Sequence, residues 1–163
     1  MNLAGGKYNV FSVANYIAEH WSKTNEGENI SILALLKYAF FCYGWYLGTK
    51  NERLFGATIK SFPLGPVITE IYRGYDINYR DDYYITKPHK DGNSSDLVAE
   101  DKAFIDEIMA RYAGKRAWEL SDLTHFEGTP WTLTVNRIGT YQIIEDQLIL
   151  EYYQTLEKEK RIA

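Results

Sequence analysis

The stretch Leu35–Leu47, LLKYAFFCYGWYL, decides the fold. At helical spacing Leu33, Leu36, Phe40 and Tyr43 share one side, while Leu35, Ala39, Phe41 and Tyr46 occupy the others. A helix that is apolar all round is buried on every side. The reading is therefore a central helix from Ile32 to Tyr46, opened by Ser31 as N-cap and closed by Gly48 in the left-handed conformation. The apolar run from Ile30 to Leu47 carries Lys37 and is shorter than the roughly 20 apolar residues of a membrane span, so it predicts a core helix and no membrane segment.

Amphipathic helices surround this one. Before it, Asn9 can cap a helix in which Phe11, Ala14, Ile17, Ala18 and Trp21 repeat at three- and four-residue steps. After it, Thr58, Ile59 and Phe62 suggest a short strand, broken by Pro63 and Gly65. Pro66 then suits the first turn of a third helix that carries Val67, Ile68, Ile71, Tyr72 and Tyr75. The polar stretch from Asp76 to Ser95 reads as a loop with at most a short strand at Tyr83 to Thr86. Ser94 or Ser95 can cap a fourth helix containing Leu97, Val98, Phe104, Ile105, Ile108, Met109 and Tyr112, which Gly114 stops. Short helices follow from Ser121 and Pro130, and a surface helix runs from Glu145 to Lys160. The expected fold is mainly α, one compact helical domain over residues 1–163 with a minor β element, its core spanning about 12–131.

Composition bounds the function. The chain has 163 residues, 45% of them hydrophobic, enough to bury a core and far from a disordered composition. With 18 basic against 22 acidic residues its net charge is -4, which disfavours nucleic acid as partner. The one cysteine, Cys42, can close no intrachain disulfide and build no thiolate metal site. The first residues lack the apolar run of a signal peptide, and the expected location is the cytoplasm. Both a monomer and a homo-oligomer are compatible with the chain.

Catalytic patterns are sparse. There is no glycine-rich phosphate loop, no HExxH, and no strand-to-helix serine elbow. The step from His125 to Glu127 resembles the His-x-Glu of zinc deaminases but lacks their paired cysteines. Cys42 sits between Phe41 and Tyr43, where burial makes a thiol inert. His125, beside Asp122 and Glu127, is the residue on which a hydrolase or transferase would have to rest. A structural role at a helix end is the competing reading, and no metal or cofactor is expected. A second group of aromatics, Tyr72, Tyr75, Tyr79, Tyr83 and Tyr84, lies on a helix end and a loop, where tyrosine suits protein contacts. These five are the candidate partner-binding residues; bases stacking on them, with Arg73, Arg80, Lys87 and Lys90 holding a backbone, and a plain solvated loop are the other readings.

Three strings in fixed order carry a family resemblance: LLKYAFFCYGWYL, then LFGATIKSFPLGPVITEIY, then THFEGTPW. They resemble the Panacea domain family, the SocA-like and phage-associated antitoxins of toxin–antitoxin pairs. The matching residues are Leu36, Lys37, Gly44 and Trp45, then Gly65, Pro66, Val67 and Tyr72, and finally Thr124, His125, Pro130 and Trp131. The likeness covers roughly Ser12 to Trp131. One departure stands at Phe62 and Pro63, where the family usually has a tryptophan before the Gly-Pro pair. The resemblance implies a helical cytoplasmic protein, not an enzyme and without cofactor, that binds and neutralises a toxin encoded beside it. An autoregulatory DNA-binding protein is the other alternative, but the second helix is too apolar to read a groove.

Overall fold

The computed structural model describes residues 5–75 and 83–161. Helix α1, Val10–Thr24, is capped by Asn9, whose side chain accepts from the Phe11 N–H. Ser31 opens α2, Ile32–Lys50, accepting from the Ala34 N–H. Nearly every residue of α2 from Ile32 to Leu47 is buried, so it is the hub that the apolar run predicts.

Around α2 pack β1, Ile59–Phe62, and β2, Gly65–Ile68, an antiparallel hairpin with Phe62 opposite Gly65 and Ile59 opposite Ile68. Then come α3, Thr69–Gly74, a 3-10 turn at Ser94–Asp96, and α4, Ala99–Arg111. Three helices complete the fold: α5, Ala117–Leu123, α6, Pro130–Ile138, and α7, Asp146–Glu159. Thr129 caps α6, its hydroxyl accepting from the Thr132 N–H, with Pro130 at the first turn as expected. Helix α7 lies along α2 and places Tyr153 between Phe40 and Trp45. The fold is mainly α with a two-stranded sheet, and among the described residues no helix is long and apolar enough to cross a membrane.

Five local expectations are corrected. Pro66 does not open α3; it lies in β2 opposite Ser61. The N–H and C=O of Ser61 bond instead to Gln142 O and Tyr141 N on the far side of β1, so nothing on β1 waits for the N–H that proline lacks. Gly48 does not end α2, which runs on to Lys50 and turns at left-handed Asn51 (φ 54°). Ser94 and Ser95 do not cap α4: Ser94 Oγ donates to Glu19 of α1, Ser95 Oγ donates to Asn93 Oδ1, and both sit in the 3-10 turn. Ser121 does not start a helix but lies inside α5. Tyr83 to Thr86 is not a strand, although Tyr83 O accepts from Ile32 N and Ile85 N donates to Ile30 O.

Candidate functional site

The β1–β2 hairpin turns at Pro63 and Leu64, and the turn is held by its backbone oxygens. Trp131 Nε1 donates to Phe62 O at 2.7 Å and His125 Nε2 donates to Pro63 O at 3.2 Å. Ser121 Oγ donates to Leu64 O, and Lys37 Nζ donates to Pro66 O at 2.9 Å. Four side chains from α2, α5, the α5–α6 turn and α6 thus satisfy the carbonyls of Phe62, Pro63 and Leu64 around the turn and of Pro66 in β2, each of which would cost about 1–3 kcal/mol if buried without a partner. Gly65 is required between them. Its φ is +116°, and a Cβ there would stand 2.5 Å from Thr124 Oγ1 and 3.1 Å from Lys37 Cε.

The residues matched at the sequence level come together here. Lys37, Gly65, Pro66, Thr124, His125 and Trp131 meet at the hairpin. Thr124 Oγ1 donates to Ser121 O at 2.6 Å, and Thr129 Oγ1 donates to Thr124 O at 2.7 Å, fixing the turn between α5 and α6. The His125 ring sits edge-on to Trp131 with centroids 4.1 Å apart. Gly44 and Trp45 lie elsewhere, on the α7 side of α2, where Trp45 Nε1 donates to Tyr112 Oη at 2.8 Å.

Beside the hairpin is an open groove of about 650 Å³ between α2, the hairpin and α5. Leu33, Leu36, Phe62, Val67 and Tyr72 wall it, and Trp118 and Leu64 stand at its mouth, 57% and 55% exposed. Phe62 packs edge-on against Tyr72 (5.2 Å) and Tyr141 (5.0 Å). Lys37 belongs to the lining yet is fully shut off from solvent. Burial pushes its amine down to about 7, and among the described residues no carboxylate offsets that burial.

The candidate acid–base pair is not assembled. His125 Nε2 is committed to Pro63 O, not to Asp122 or Glu127, and burial lowers its pKa. Cys42 is wholly buried, and burial pushes its thiol far up. Among the described residues no three His, Cys, Asp or Glu side chains lie close enough to share a metal ion.

The tyrosine series does not form one face. Tyr72 walls the groove, Tyr75 is buried against Phe11 and His89, and Tyr83 packs partly on the core. Tyr84 is 53% exposed beside a separate hollow with His20, Trp21 and Arg116. Tyr79 lies outside the described residues. Leu33 was read only as part of the apolar surface of the central helix, and Trp118 and Leu64 were not singled out by sequence reasoning. Their one signal is that large apolar side chains stand where each short element has already supplied its buried face: Trp118 beside Leu120, and Leu64 within a turn.

The family described as "Antitoxin SocA-like, Panacea domain" matches residues 35–132 of the chain. No curated protein and no solved structure matches it.

Proposed function

The chain belongs to the SocA-like antitoxin family with a Panacea domain, and from that membership we propose that it neutralises a cognate toxin by direct protein–protein binding. The observation that carries the reading is the groove with Trp118 and Leu64 at its mouth. Large apolar side chains half out of water, around a concavity and on a turn that is already rigid, are what an interface anchor needs. Tyr72 lines the same surface, so one member of the tyrosine series stays in the proposed contact.

In this reading residues 1–163 act as one unit in the cytoplasm, by occupancy and without turnover. Lys37, Gly65, Pro66, Val67, Thr124, His125, Pro130 and Trp131 shape the hairpin, and Gly44 and Trp45 seat the central helix against α7. The hydrolase or transferase alternative asks His125 to exchange protons with a carboxylate, and its Nε2 is spent on the Pro63 carbonyl instead. A DNA-binding role is disfavoured by the net charge of -4.

The test is co-expression, from separate promoters, with the short reading frame adjacent in the genome, scored by growth and co-purification. Rescue by the wild type and loss of rescue with folded Trp118→Ala supports the reading. A toxic neighbour that neither binds nor is rescued overturns it.

A further inference from the structure

We propose that the second hollow, the one bordered by Tyr84, binds a free nucleoside phosphate, its base against Trp21 and Tyr84 and its phosphate on Lys115 and Arg116. The inference goes beyond the toxin-binding reading, and the hollow shares no lining residue with the apolar groove.

The hollow measures about 610 Å³, within the range of roughly 300–1,000 Å³ typical of small-molecule sites. It lies between the end of α1, the start of α2 and the turn from α4 to α5. Ala110, Ala113 and Gly114 keep one wall low, and a Cβ on Gly114 would meet nothing within 4 Å. The aromatic surface is held in place by main chain. Tyr84 pairs with Ser31 in an antiparallel bridge, flanked by Ile32 N donating to Tyr83 O at 2.9 Å and Ile85 N donating to Ile30 O at 2.8 Å. Its half-exposed ring therefore stands on a fixed backbone, and Trp21 is fixed in α1. Rings held in this way suit a base, because stacking asks only for a π face.

Four charged or titratable side chains line the hollow: His20, Glu28, Lys115 and Arg116. Among the described residues neither Lys115 nor Arg116 is paired with a carboxylate. His20 Nδ1 lies 3.1 Å from Asp106 Oδ1, which also accepts from Tyr16 Oη at 2.6 Å. A carboxylate beside Nδ1 favours the proton there, so Nε2, which has no protein partner, is the acceptor of the neutral ring. Glu28 is exposed and accepts only. The hollow thus offers two cations, two acceptors and two aromatic rings. A simple anion would use the cations alone, and an apolar ligand the rings alone. A nucleoside phosphate complements all three, with an anionic phosphate, sugar and base groups that donate, and a flat base. The net charge of -4 works against a long polyanion, so one nucleotide fits better than a strand.

The test titrates the intact protein with AMP, GMP, CMP and UMP, reading affinity by calorimetry and location by amide chemical shifts. At least one should bind, with shifts gathered at Trp21, Tyr84, Lys115 and Arg116. The matching nucleoside, which lacks the phosphate, and ribose phosphate, which lacks the base, should each bind about tenfold or more weakly. These two comparisons change the ligand and so read an unaltered protein. Tyr84→Ala should weaken the nucleotide by about tenfold through the loss of one stacking face. The double variant Lys115→Met, Arg116→Met should bind nucleotide and nucleoside alike, and Trp118→Ala should change nothing. Absence of shifts with all four nucleotides at millimolar concentration overturns the inference. So does inorganic phosphate that binds as tightly as the nucleotide, which marks a general anion site, or binding indifferent to both Tyr84→Ala and the double variant. A single-stranded RNA of about ten nucleotides that binds more tightly than the mononucleotide also overturns it, in favour of a strand. None of these results alters the toxin co-purification, which judges the other surface.

Discussion

Gly44 lies so close to the ring of Tyr153 that a Cβ on it would stand 2.2 Å from Tyr153 Cε2. One turn on, a Cβ on Gly48 would stand 2.7 Å from Tyr153 Cβ. Helix α2 thus carries two glycines, each costing about 1 kcal/mol in helix propensity, so that α7 can approach its backbone. Gly44→Ala regains that propensity but drives a methyl into a buried ring, and the clash should win by about 1–3 kcal/mol in urea unfolding. Tyr153→Leu in the same chain should recover part of the loss; purely additive costs would count against the contact.

Lys37 should leave its mark on the pH dependence of stability. Burial pushes its amine from the ordinary 10.5 down to about 7 in the folded protein, so between those values the unfolded chain binds more protons and stability rises with pH. The slope reaches about 1.4 kcal/mol per pH unit, is absent below the folded pKa and ends at the unfolded one. Above about pH 10 tyrosines work the other way: Tyr38 and Tyr46 are pushed up to about 12 by burial, so their contribution falls there. Urea unfolding between about pH 7.5 and 9.5 isolates the lysine, and Lys37→Met should flatten the curve. Parallel curves for both proteins would refute the assignment.

The hairpin donors should be unequal. Trp131→Phe strands the Phe62 carbonyl and should cost about 1–3 kcal/mol, with faster amide exchange in β1 and β2. His125→Gln should cost less, about 0.5–1 kcal/mol, because the ring is partly exposed and water can reach Pro63 O. Circular dichroism of His125→Gln should remain native.

Residues at the groove mouth should separate stability from binding. Trp118→Ala and Leu64→Ala remove exposed side chains and should move stability by no more than about 0.5 kcal/mol. Each should weaken toxin binding by about tenfold or more. Equal losses in folding and binding would mean that both residues serve packing.

Acid should loosen the start of the chain. Asp101 is buried and accepts from Tyr8 Oη at 2.5 Å and Tyr46 Oη at 3.1 Å, with Lys7 Nζ at 2.8 Å. Burial alone would raise this carboxyl, but the hydrogen bonds from Lys7, Tyr8 and Tyr46 hold it below the ordinary value. Its stabilisation is present above the usual carboxylate range and lost as pH falls through the lowered folded pKa. Asp101→Asn should remove that acid sensitivity and raise amide exchange at Lys7 and Tyr8, which donate to Arg53 O and Leu54 O.

Local signals carried far along this chain. Asn9, Ser31 and Pro130 mark helix starts because a cap needs only its own neighbours, and the apolar run of α2 marks the core because burial on all sides leaves no polar stripe. Where two readings share the same local chemistry, a distant partner decides. Pro66 is as acceptable in β2 as at a helix start, and the choice is made by Gln142 and Tyr141 bonding to Ser61. Gly48 looks like a cap until Tyr153 is beside it. The groove was the least legible part, since Leu33, Leu64 and Trp118 come from three segments with no shared period. The motif residues were legible as a set, but the task that Lys37, His125 and Trp131 share, holding the hairpin carbonyls, leaves no trace in side-chain spacing.

Because the turn at Pro63 and Leu64 is held through its main-chain oxygens, the identity of residue 64 is nearly independent of what keeps it in place. Any side chain compatible with the turn would be presented from the same position. Such a scaffold can be retargeted: exchanging Leu64 and Trp118 changes the face offered to a partner while the fold beneath stays as it is. One architecture could in this way serve against many unrelated polypeptides, each reached by a few surface replacements.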